Sequence, residues 1–389
     1  MPYFDHAATS PMPEAVISAW AEASRAVGNG SSTHRDGQVA RLRFEEAREN
    51  IAQALGAKGF DTTLTASGTE AINLAIKGLF WARNGMTAAT VPPCDLPRTR
   101  IITTRTEHHA TIDACEWLEK SCGAHIDYAS VDADGLIDLE SVRELLGDDV
   151  ALVTTLWVNN EVGTIQPVAD LAALAAEFGV PVHVDAVAAL GYVPISLSDS
   201  GVNALSVSAH KVGGPVSVGA LAVARGTSIV PLIHGGSQQL LRSGSLDSAG
   251  AAAAAVAIRL ATTDIEAHAA ELASLRDYLR DGVLRAVPDA VVRGSQVSRV
   301  AGNLHVTIPG VDSAYLLFLL DEAGFSVSAG SACTAGVAGV SHVLAEMGST
   351  DARGALRMTL GRSNTRAEVD EFVESLPSLV ERVRGLTVS

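Results

Sequence analysis

Short, wholly apolar runs alternate along most of the chain with longer stretches in which apolar residues recur at helical spacing. The short runs predict buried strands and the longer stretches predict helices. Helices are predicted over residues 37–55, 69–82 and 168–178, and strands over residues 62–65, 100–104, 151–157, 180–184, 205–208 and 218–224. Apolar strands separated by helices favour a mostly parallel sheet that is covered on both faces.

A second unit begins where the composition changes. From residue 249 an Ala/Leu/Arg-rich segment predicts helix as far as residue 287. Beyond it we expect a smaller α/β unit, with strands at 303–308 and 356–360, helices at 313–323 and 366–384, and a Gly/Ser/Ala-rich stretch at 326–339. The prediction is therefore an α/β protein with an N-terminal segment (1–15) that joins the small domain, a large domain (16–255) and a small C-terminal domain (256–389). Residues 84–98, with three prolines, are expected to form a surface loop.

The charge balance limits the classes of partner. The chain has 28 Lys and Arg against 44 Asp and Glu, a formal net charge of −16, and no basic cluster. Nucleic acid and anionic membranes are therefore not expected as partners. With no secretory pattern after Met1 and no apolar run long enough to span a bilayer, we expect a cytoplasmic protein. Its few cysteines favour free thiols over a disulfide framework: Cys94, Cys115, Cys122 and Cys333.

Lys211 and Asp185 are the first residues that suggest a chemistry. Lys211 follows an apolar strand and precedes a Gly-Gly-Pro turn, and Asp185 ends another apolar strand. Ligands of open α/β sheets bind at the carboxyl ends of strands. A carboxylate beside the pyridine nitrogen of pyridoxal phosphate (PLP) keeps that nitrogen protonated, and the ring then acts as an electron sink. Taken alone, Lys211 could instead be a solvated loop lysine and Asp185 a helix cap.

A third element of a PLP site is the sequence Ser67-Gly68-Thr69, which lies between a predicted strand and a predicted helix. Free backbone N–H groups and the helix dipole favour a phosphate at such a position. A simple capping role for Ser67 or Thr69 is the alternative.

Nine segments in order resemble the motifs of cysteine desulfurases, the NifS/IscS-like branch of the class-V aminotransferases. They are YFDHAATSP, SGTEAINLA, TEHHATID, VNNEVGT, HVDA, SAHK, RSGSLD, SAGSACTAG and ALRMTLGR, and they span almost the whole chain. The resemblance implies the fold of fold-type I PLP-dependent transferases, with a large domain around a seven-stranded, mostly parallel sheet and a smaller C-terminal α/β domain. It also implies PLP as cofactor, L-cysteine as substrate, a homodimer, and a sulfur-acceptor or scaffold protein as partner.

The resemblance also assigns roles to individual residues. Lys211 would be the Schiff-base lysine, Asp185 the partner of the pyridine nitrogen, and His108 the imidazole stacked on the ring. The other implied contacts are Gly68, Thr69, Ser208 and His210 to the phosphate, Asn160 beside the phenolic oxygen, Ser245 to the phosphate of the neighbouring subunit, and Asn29 and Arg357 to the substrate. A guanidinium suits the last task because its fork matches a carboxylate.

Cys333 lies in a run of small residues, SVSAGSACTAGVAG, which cannot bury a thiol well. The resemblance makes it the nucleophile that takes sulfur from L-cysteine, which leaves a persulfide and releases L-alanine, for iron–sulfur cluster assembly or tRNA thiolation. An incidental loop cysteine is the alternative. Another PLP reaction, such as that of a selenocysteine lyase or an aminotransferase, would not require Cys333. A non-catalytic sulfur-pathway partner with a decayed site is a further alternative.

Two positions need separate treatment. His108 and His109 are adjacent, and in an extended segment their side chains would point to opposite faces, so no metal site is expected and His109 is interpreted as structural.

Ala188 stands where the family normally has a Gln that donates to the phenolic oxygen of PLP. Loss of one donor to a charged oxygen costs about 1.5–3 kcal/mol unless water or Asn160 compensates. We expect either altered PLP binding, with PLP held less firmly, or an altered pKa of the internal aldimine, and an unchanged type of reaction.

Overall fold

The computed structural model describes residues 1–87, 96–330, 340–349 and 351–387. The helices are α1 (Glu14–Arg25), α2 (Arg35–Ala54), α3 (Gly68–Arg83), α4 (His109–Cys122), α5 (Leu139–Leu145), α6 (Val168–Glu177), α7 (Leu197–Ser200), α8 (Ser248–Thr262), α9 (Ile265–Ala286), α10 (Ser313–Glu322), α11 (His342–Glu346) and α12 (Arg366–Thr387). The strands are β1 (Thr62–Thr65), β2 (Arg100–Thr103), β3 (His125–Tyr128), β4 (Val150–Leu156), β5 (Val182–Asp185), β6 (Ala204–Ser208), β7 (Gly219–Val223), β8 (Val291–Arg293), β9 (Asn303–Thr307) and β10 (Ala355–Thr359).

Within the described residues, a seven-stranded sheet has the order β1-β7-β6-β5-β4-β2-β3. The pairs β2–β3, β2–β4, β4–β5 and β5–β6 are parallel, whereas β7 is antiparallel to both of its neighbours. The prediction of a mostly parallel sheet is confirmed. Because β4, β5 and β6 are parallel neighbours, their carboxyl ends meet at one edge of the sheet.

Both faces of this sheet are buried. On β4, Leu152 packs into a core with α3 and α4, whereas the next residue, Val153, packs into a core with α2, α5, α6 and α8. Successive side chains of a strand point to opposite faces, so a strand that is covered on both sides is apolar at every position. This is why the strands are recognisable as continuous apolar runs in the sequence.

A three-stranded antiparallel sheet, β10-β9-β8, forms a second core with α9, α10 and α12. Phe4 of the N-terminal segment is buried in this core and contacts Phe372 with ring centroids 5.6 Å apart. The first residues of the chain therefore pack beside its last strand and last helix. The exact domain boundaries at residues 15 and 255 stay predictions.

The single helical segment expected over residues 249–287 is wrong in one respect, because the chain breaks between α8 and α9. Thr263 leaves the helical conformation, and Asp264 has a φ of 55°. The hydroxyls of Thr262 and Thr263 bond to carbonyls of the preceding turn, which supports the break. None of the described helices has the length and apolar character needed to cross a membrane.

Candidate active site

A cavity of about 280 Å³ lies at the carboxyl edge of the large sheet, where β5 and β6 end and α3 begins. Asp185 is the last residue of β5 and Ser208 the last of β6, and a short 3-10 helix, Ala209–Val212, then presents Lys211. The structure brings together in its lining most of the residues that were predicted for the site: Gly68, Thr69, His108, Asn160, Asp185, Ser208, His210, Lys211 and Arg357.

The Asp185 carboxyl is buried at the floor of this cavity. Its Oδ1 atom accepts a hydrogen bond of 2.9 Å from the backbone N–H of Val187. Burial raises the pKa of Asp185 to about 6, although that hydrogen bond and the nearby Lys211 cation act in the opposite direction. A cationic ring nitrogen beside this carboxylate would supply the charge partner that burial makes necessary.

Lys211 is not the solvated loop lysine of the alternative interpretation. Its Nζ atom donates to two backbone carbonyls of the N-terminal segment, to Ala7 at 2.6 Å and to Ala8 at 3.1 Å. Both carbonyls line the same cavity. The amine is therefore directed toward the cavity by a segment that lies more than two hundred residues earlier in the chain.

His108 is the N-cap residue of α4. Its Nδ1 atom accepts a hydrogen bond of 3.0 Å from the backbone N–H of Ala110. Burial, with the Lys211 cation as the next cause, lowers the pKa of His108 to about 4. The imidazole is therefore neutral near pH 7, and because Nδ1 is an acceptor its proton is on Nε2.

The expectation of an extended segment is correct for His108, which has a φ of −67° and a ψ of 147°, but it is wrong for His109. His109 is the first residue of α4, and its Nδ1 atom lies 3.8 Å from a carboxylate oxygen of Asp113, one helical turn away. The segment turns at His108 because that side chain caps the helix. No group of three or more His, Cys, Asp or Glu side chains among the described residues has a geometry that would hold a metal ion.

The start of α3 is suited to a phosphate. The Ser67 hydroxyl caps the helix by accepting from the backbone N–H of Glu70 at 3.1 Å, so the capping role considered for Ser67 is present. The Ser208 hydroxyl is buried and has no hydrogen-bond partner among the described residues. A Cβ atom added to Gly68 would lie 3.0 Å from the Ser208 Cβ atom. The N-terminus of α3 and the Ser208 hydroxyl thus lie close together, and a residue larger than Gly68 would fill the space between them.

The predicted substrate clamp, Arg357, has partners inside the protein. It is only 2% exposed. Its Nη2 atom lies 2.8 Å from Asp5 Oδ1, and its Nη1 atom donates to the carbonyl of Asn160 at 2.9 Å. The Nε atom is buried and has no partner among the described residues. Two of the five N–H groups of the predicted clamp thus already bind groups of the protein, one of them a carboxylate.

Three comparisons with known proteins agree. The family model for "Aminotransferase class-V" matches residues 2–372. An IscS-like cysteine desulfurase of Mycobacterium tuberculosis is 47% identical, over 99% of this chain and 97% of its own length.

The chain belongs to the class-V aminotransferase family.

Solved structures agree with this assignment to the family. A NifS-like protein is 32% identical with a TM-score of 0.89, and the match covers 98% of this chain and 99% of that one. A protein solved as "SspA in complex with cysteine" is 30% identical with a TM-score of 0.79, over 92% and 99% of the two chains. The predicted similarity to NifS/IscS-like cysteine desulfurases and the predicted fold class are confirmed.

Two predicted site residues of this class-V aminotransferase, Asn29 and Ser245, are not among the described residues that line the cavity. They lie in segments that approach each other, since a Cβ atom added to Gly30 would be 3.2 Å from a methyl carbon of Leu246. Ala188 does line the cavity. The roles of all three positions stay predictions.

Two buried groups near the site were not predicted. His6 lines the cavity, and burial lowers its pKa to about 4. Glu107 is fully buried beside His108, and its Oε1 atom accepts from the hydroxyls of Thr104 at 2.8 Å and Thr155 at 3.1 Å. Burial raises the pKa of Glu107 to about 8. Both residues lie within motifs that carry the family resemblance. The sequence pattern did not indicate that their side chains are buried.

Cys333 and Cys94 lie outside the described residues. On one side of the Cys333 segment, Ser328 pairs with Arg357 through two backbone hydrogen bonds. On the other side, His342 Nε2 donates to the Glu107 carbonyl at 2.9 Å. The described residues that flank Cys333 in sequence therefore contact groups of the site. Cys115 and Cys122 are free thiols, and Cys115 is buried.

Proposed function

We propose that this member of the class-V aminotransferase family is a cysteine desulfurase. It would use PLP to convert L-cysteine to L-alanine and take up the sulfur as a persulfide on Cys333. The observation that carries the proposal is the convergence of Asp185, Lys211 and the Ser208 hydroxyl on one cavity that Arg357 also lines. That hydroxyl is buried and has no partner within the part of the chain that the structure describes. The chain's similarity to the IscS-like cysteine desulfurase of M. tuberculosis, and to a protein solved with cysteine, supports L-cysteine as the substrate.

The residues of the cavity fit PLP. The Ser208 hydroxyl, the N–H groups at the start of α3 and His210 would hold the phosphate. Asp185 would pair with the pyridine nitrogen, and Asn160 would lie beside the phenolic oxygen. PLP, when bound, supplies an electron sink for bond cleavage at the substrate Cα atom.

Lys211 and His108 would move protons at this site. The Nζ atom of Lys211 is held over the cavity by the carbonyls of Ala7 and Ala8, where a neutral amine can accept a proton from the substrate Cα atom. His108 is neutral near pH 7 and bears a proton on Nε2, so it can act as a proton donor. Water is limited here because Asp185 and Ser208 are buried.

Cys333 would accept the sulfur. Its thiolate attacks the substrate Sγ atom, a sulfur–sulfur bond forms, and the substrate Cβ–S bond breaks. The three-carbon remainder takes up protons and leaves as L-alanine. The persulfide would then pass to an acceptor or scaffold protein.

A homodimer is part of the proposal. The outer faces of α1 and α2 expose Ile17, Trp20 (48% exposed) and Leu42, and Leu240 is 79% exposed. Helices α1 and α2 both pack on α8, and large exposed apolar residues of this kind are typical of a subunit interface. Ser245 would then reach the phosphate in the partner subunit. The cytoplasmic location stays a prediction.

The test is turnover of L-cysteine by the PLP-loaded protein in the presence of a reducing thiol, followed as L-alanine released. We expect Lys211→Ala to release none. We expect Cys333→Ser to release none while it keeps the absorbance of bound PLP, and Cys122→Ser, which changes a partly exposed thiol outside the cavity lining, to match the wild type. Undiminished turnover by Cys333→Ser would overturn the proposal and favour another PLP reaction.

A further inference from the structure

The N-terminal segment contributes a carboxylate to the cavity region, and the protein holds that carboxylate in place. Asp5 forms a parallel bridge with Thr359, and the backbone N–H of Ala7 donates to the Thr359 hydroxyl at 2.8 Å. The backbone on both sides of Asp5 is therefore bound to strand β10, the strand that also carries Arg357. Only 18% of the Asp5 side chain is exposed.

Asp5 contacts the Arg357 guanidinium, which is the group that would bind a substrate carboxylate. A guanidinium binds a carboxylate best through two parallel N–H bonds. In Arg357, one N–H of Nη2 meets Asp5 at 2.8 Å and one N–H of Nη1 donates to the Asn160 carbonyl at 2.9 Å, and the buried Nε atom has no partner among the described residues. A substrate carboxylate that uses the remaining N–H groups therefore shares the guanidinium, and its single positive charge, with Asp5.

We propose that Asp5 is a specificity-determining residue: its carboxylate competes with the substrate carboxylate for Arg357 and thereby sets the affinity of the site for amino acids. The inference rests on the proposed function, because it takes Arg357 as the group that binds the substrate carboxylate. No role of this kind follows from the motif YFDHAATSP itself.

The direction of the effect follows from charge. A substrate carboxylate that binds at Arg357 lies close to the Asp5 carboxylate in a nearly buried place, where like charges repel strongly. Asn in place of Asp5 keeps the shape and one acceptor oxygen but removes the negative charge. Asp5→Asn should therefore bind carboxylate ligands more tightly, by about five-fold or more. A ligand without a carboxylate should gain nothing.

The experiment measures equilibrium binding by titration calorimetry on the PLP-loaded protein, with two ligands that do not release sulfur. L-Alanine carries the carboxylate, and L-alaninamide has the same shape without the negative charge. We expect Asp5→Asn to lower the Kd of L-alanine about five-fold and to leave that of L-alaninamide within about two-fold. An equal change for both ligands, or weaker binding of L-alanine, would overturn the inference.

A matched control is available in the large domain. Asp127 pairs with Arg100 at 2.6 Å, is 15% exposed, and does not line the cavity. Asp127→Asn also removes one carboxylate from a partly buried ion pair, so it should lower the thermal unfolding temperature without changing the Kd of either ligand. If Asp5→Asn fails to fold, Asp5→Glu keeps the charge and lengthens the side chain, and the inference then requires an unchanged or raised Kd of L-alanine.

Failure of this inference differs from failure of the proposed function. Wild-type protein that releases L-alanine from L-cysteine, with an Asp5→Asn variant whose Kd for L-alanine is unchanged, contradicts only the role of Asp5. Wild-type protein that releases no L-alanine from L-cysteine contradicts the proposed function, whatever the variant does.

Discussion

The Nζ atom of Lys211 lies 2.6 Å from the carbonyl oxygen of Ala7, and two residues earlier Asp5 binds the guanidinium of Arg357. One short N-terminal segment thus contacts both cations that the proposed reaction needs. Lys211 follows the large sheet, whereas Arg357 belongs to the small one. The segment therefore helps to set the distance between the amine and the guanidinium across the cavity.

Replacement of Lys211 tests its role as the attachment point of PLP. Borohydride reduction of the loaded wild type should leave PLP covalently bound after denaturation, as seen by intact mass, and Lys211→Ala should leave none because no other amine lines the described cavity. Lys77, whose Nζ atom lies over the Trp117 ring at 4.3 Å, provides the control. Lys77→Ala should retain the adduct, and an adduct on Lys211→Ala would refute the assignment.

The buried Asp185 carboxyl predicts a pH-dependent stability in the protein without PLP. Its pKa is raised from 3.8 to about 6. A raised pKa means that the folded state binds the proton more tightly than the unfolded chain, so this contribution to stability is complete below pH 3.8 and is lost as the pH rises through about 6. Asp185→Asn, which cannot ionise, should avoid that loss, worth about 3 kcal/mol at high pH.

The measurement is the free energy of unfolding of both apo proteins between pH 4 and pH 8. We expect Asp185→Asn to be more stable at the high end and equal to the wild type at the low end. Addition of PLP should reverse the order at the high end, because the wild-type carboxylate then gains a cationic partner. A constant difference across the whole range would show that ionisation of Asp185 is not the cause.

Ser208→Ala separates cofactor binding from stability. The Ser208 hydroxyl is buried without a partner among the described residues, so its removal should leave the apo protein as stable as the wild type or more so. If the hydroxyl binds the phosphate, the affinity for PLP should fall about ten-fold, since a hydrogen bond to a charged group contributes about 1.5–3 kcal/mol. Unchanged PLP affinity in a fluorescence titration would remove Ser208 from the phosphate site.

Replacement of Ala188 by Gln should strengthen the binding of PLP. It lines the cavity where the family pattern has a Gln. Ala188→Gln restores a donor for the phenolic oxygen, so we expect the affinity for PLP to rise by about ten-fold or more. Ala188→Leu, which adds bulk without a donor, is the control and should bind PLP no better than the wild type. Equal affinity of Ala188→Gln and the wild type would show that the missing donor is replaced by another group.

Much of the site was predictable because it depends on where strands end. Asp185 and Ser208 follow apolar runs, and parallel strands bring such ends to one edge. The Asp5–Arg357 ion pair was not predictable, because the two residues are 352 positions apart and no periodic pattern links them. Local conformation also limited the prediction: a helix begins at His109, directly after the extended His108, and Asp264 breaks a helix that composition alone would continue.

The central claim is that Cys333 takes sulfur from L-cysteine. It is tested most directly by the intact mass of the PLP-loaded protein after brief incubation with L-cysteine and no reducing thiol, followed by peptide mapping. We expect one added sulfur atom on the peptide that contains Cys333, with release of L-alanine, and no such adduct in Cys333→Ser. L-Alanine formed without a sulfur adduct on Cys333, or with the same adduct pattern in Cys333→Ser, would contradict it.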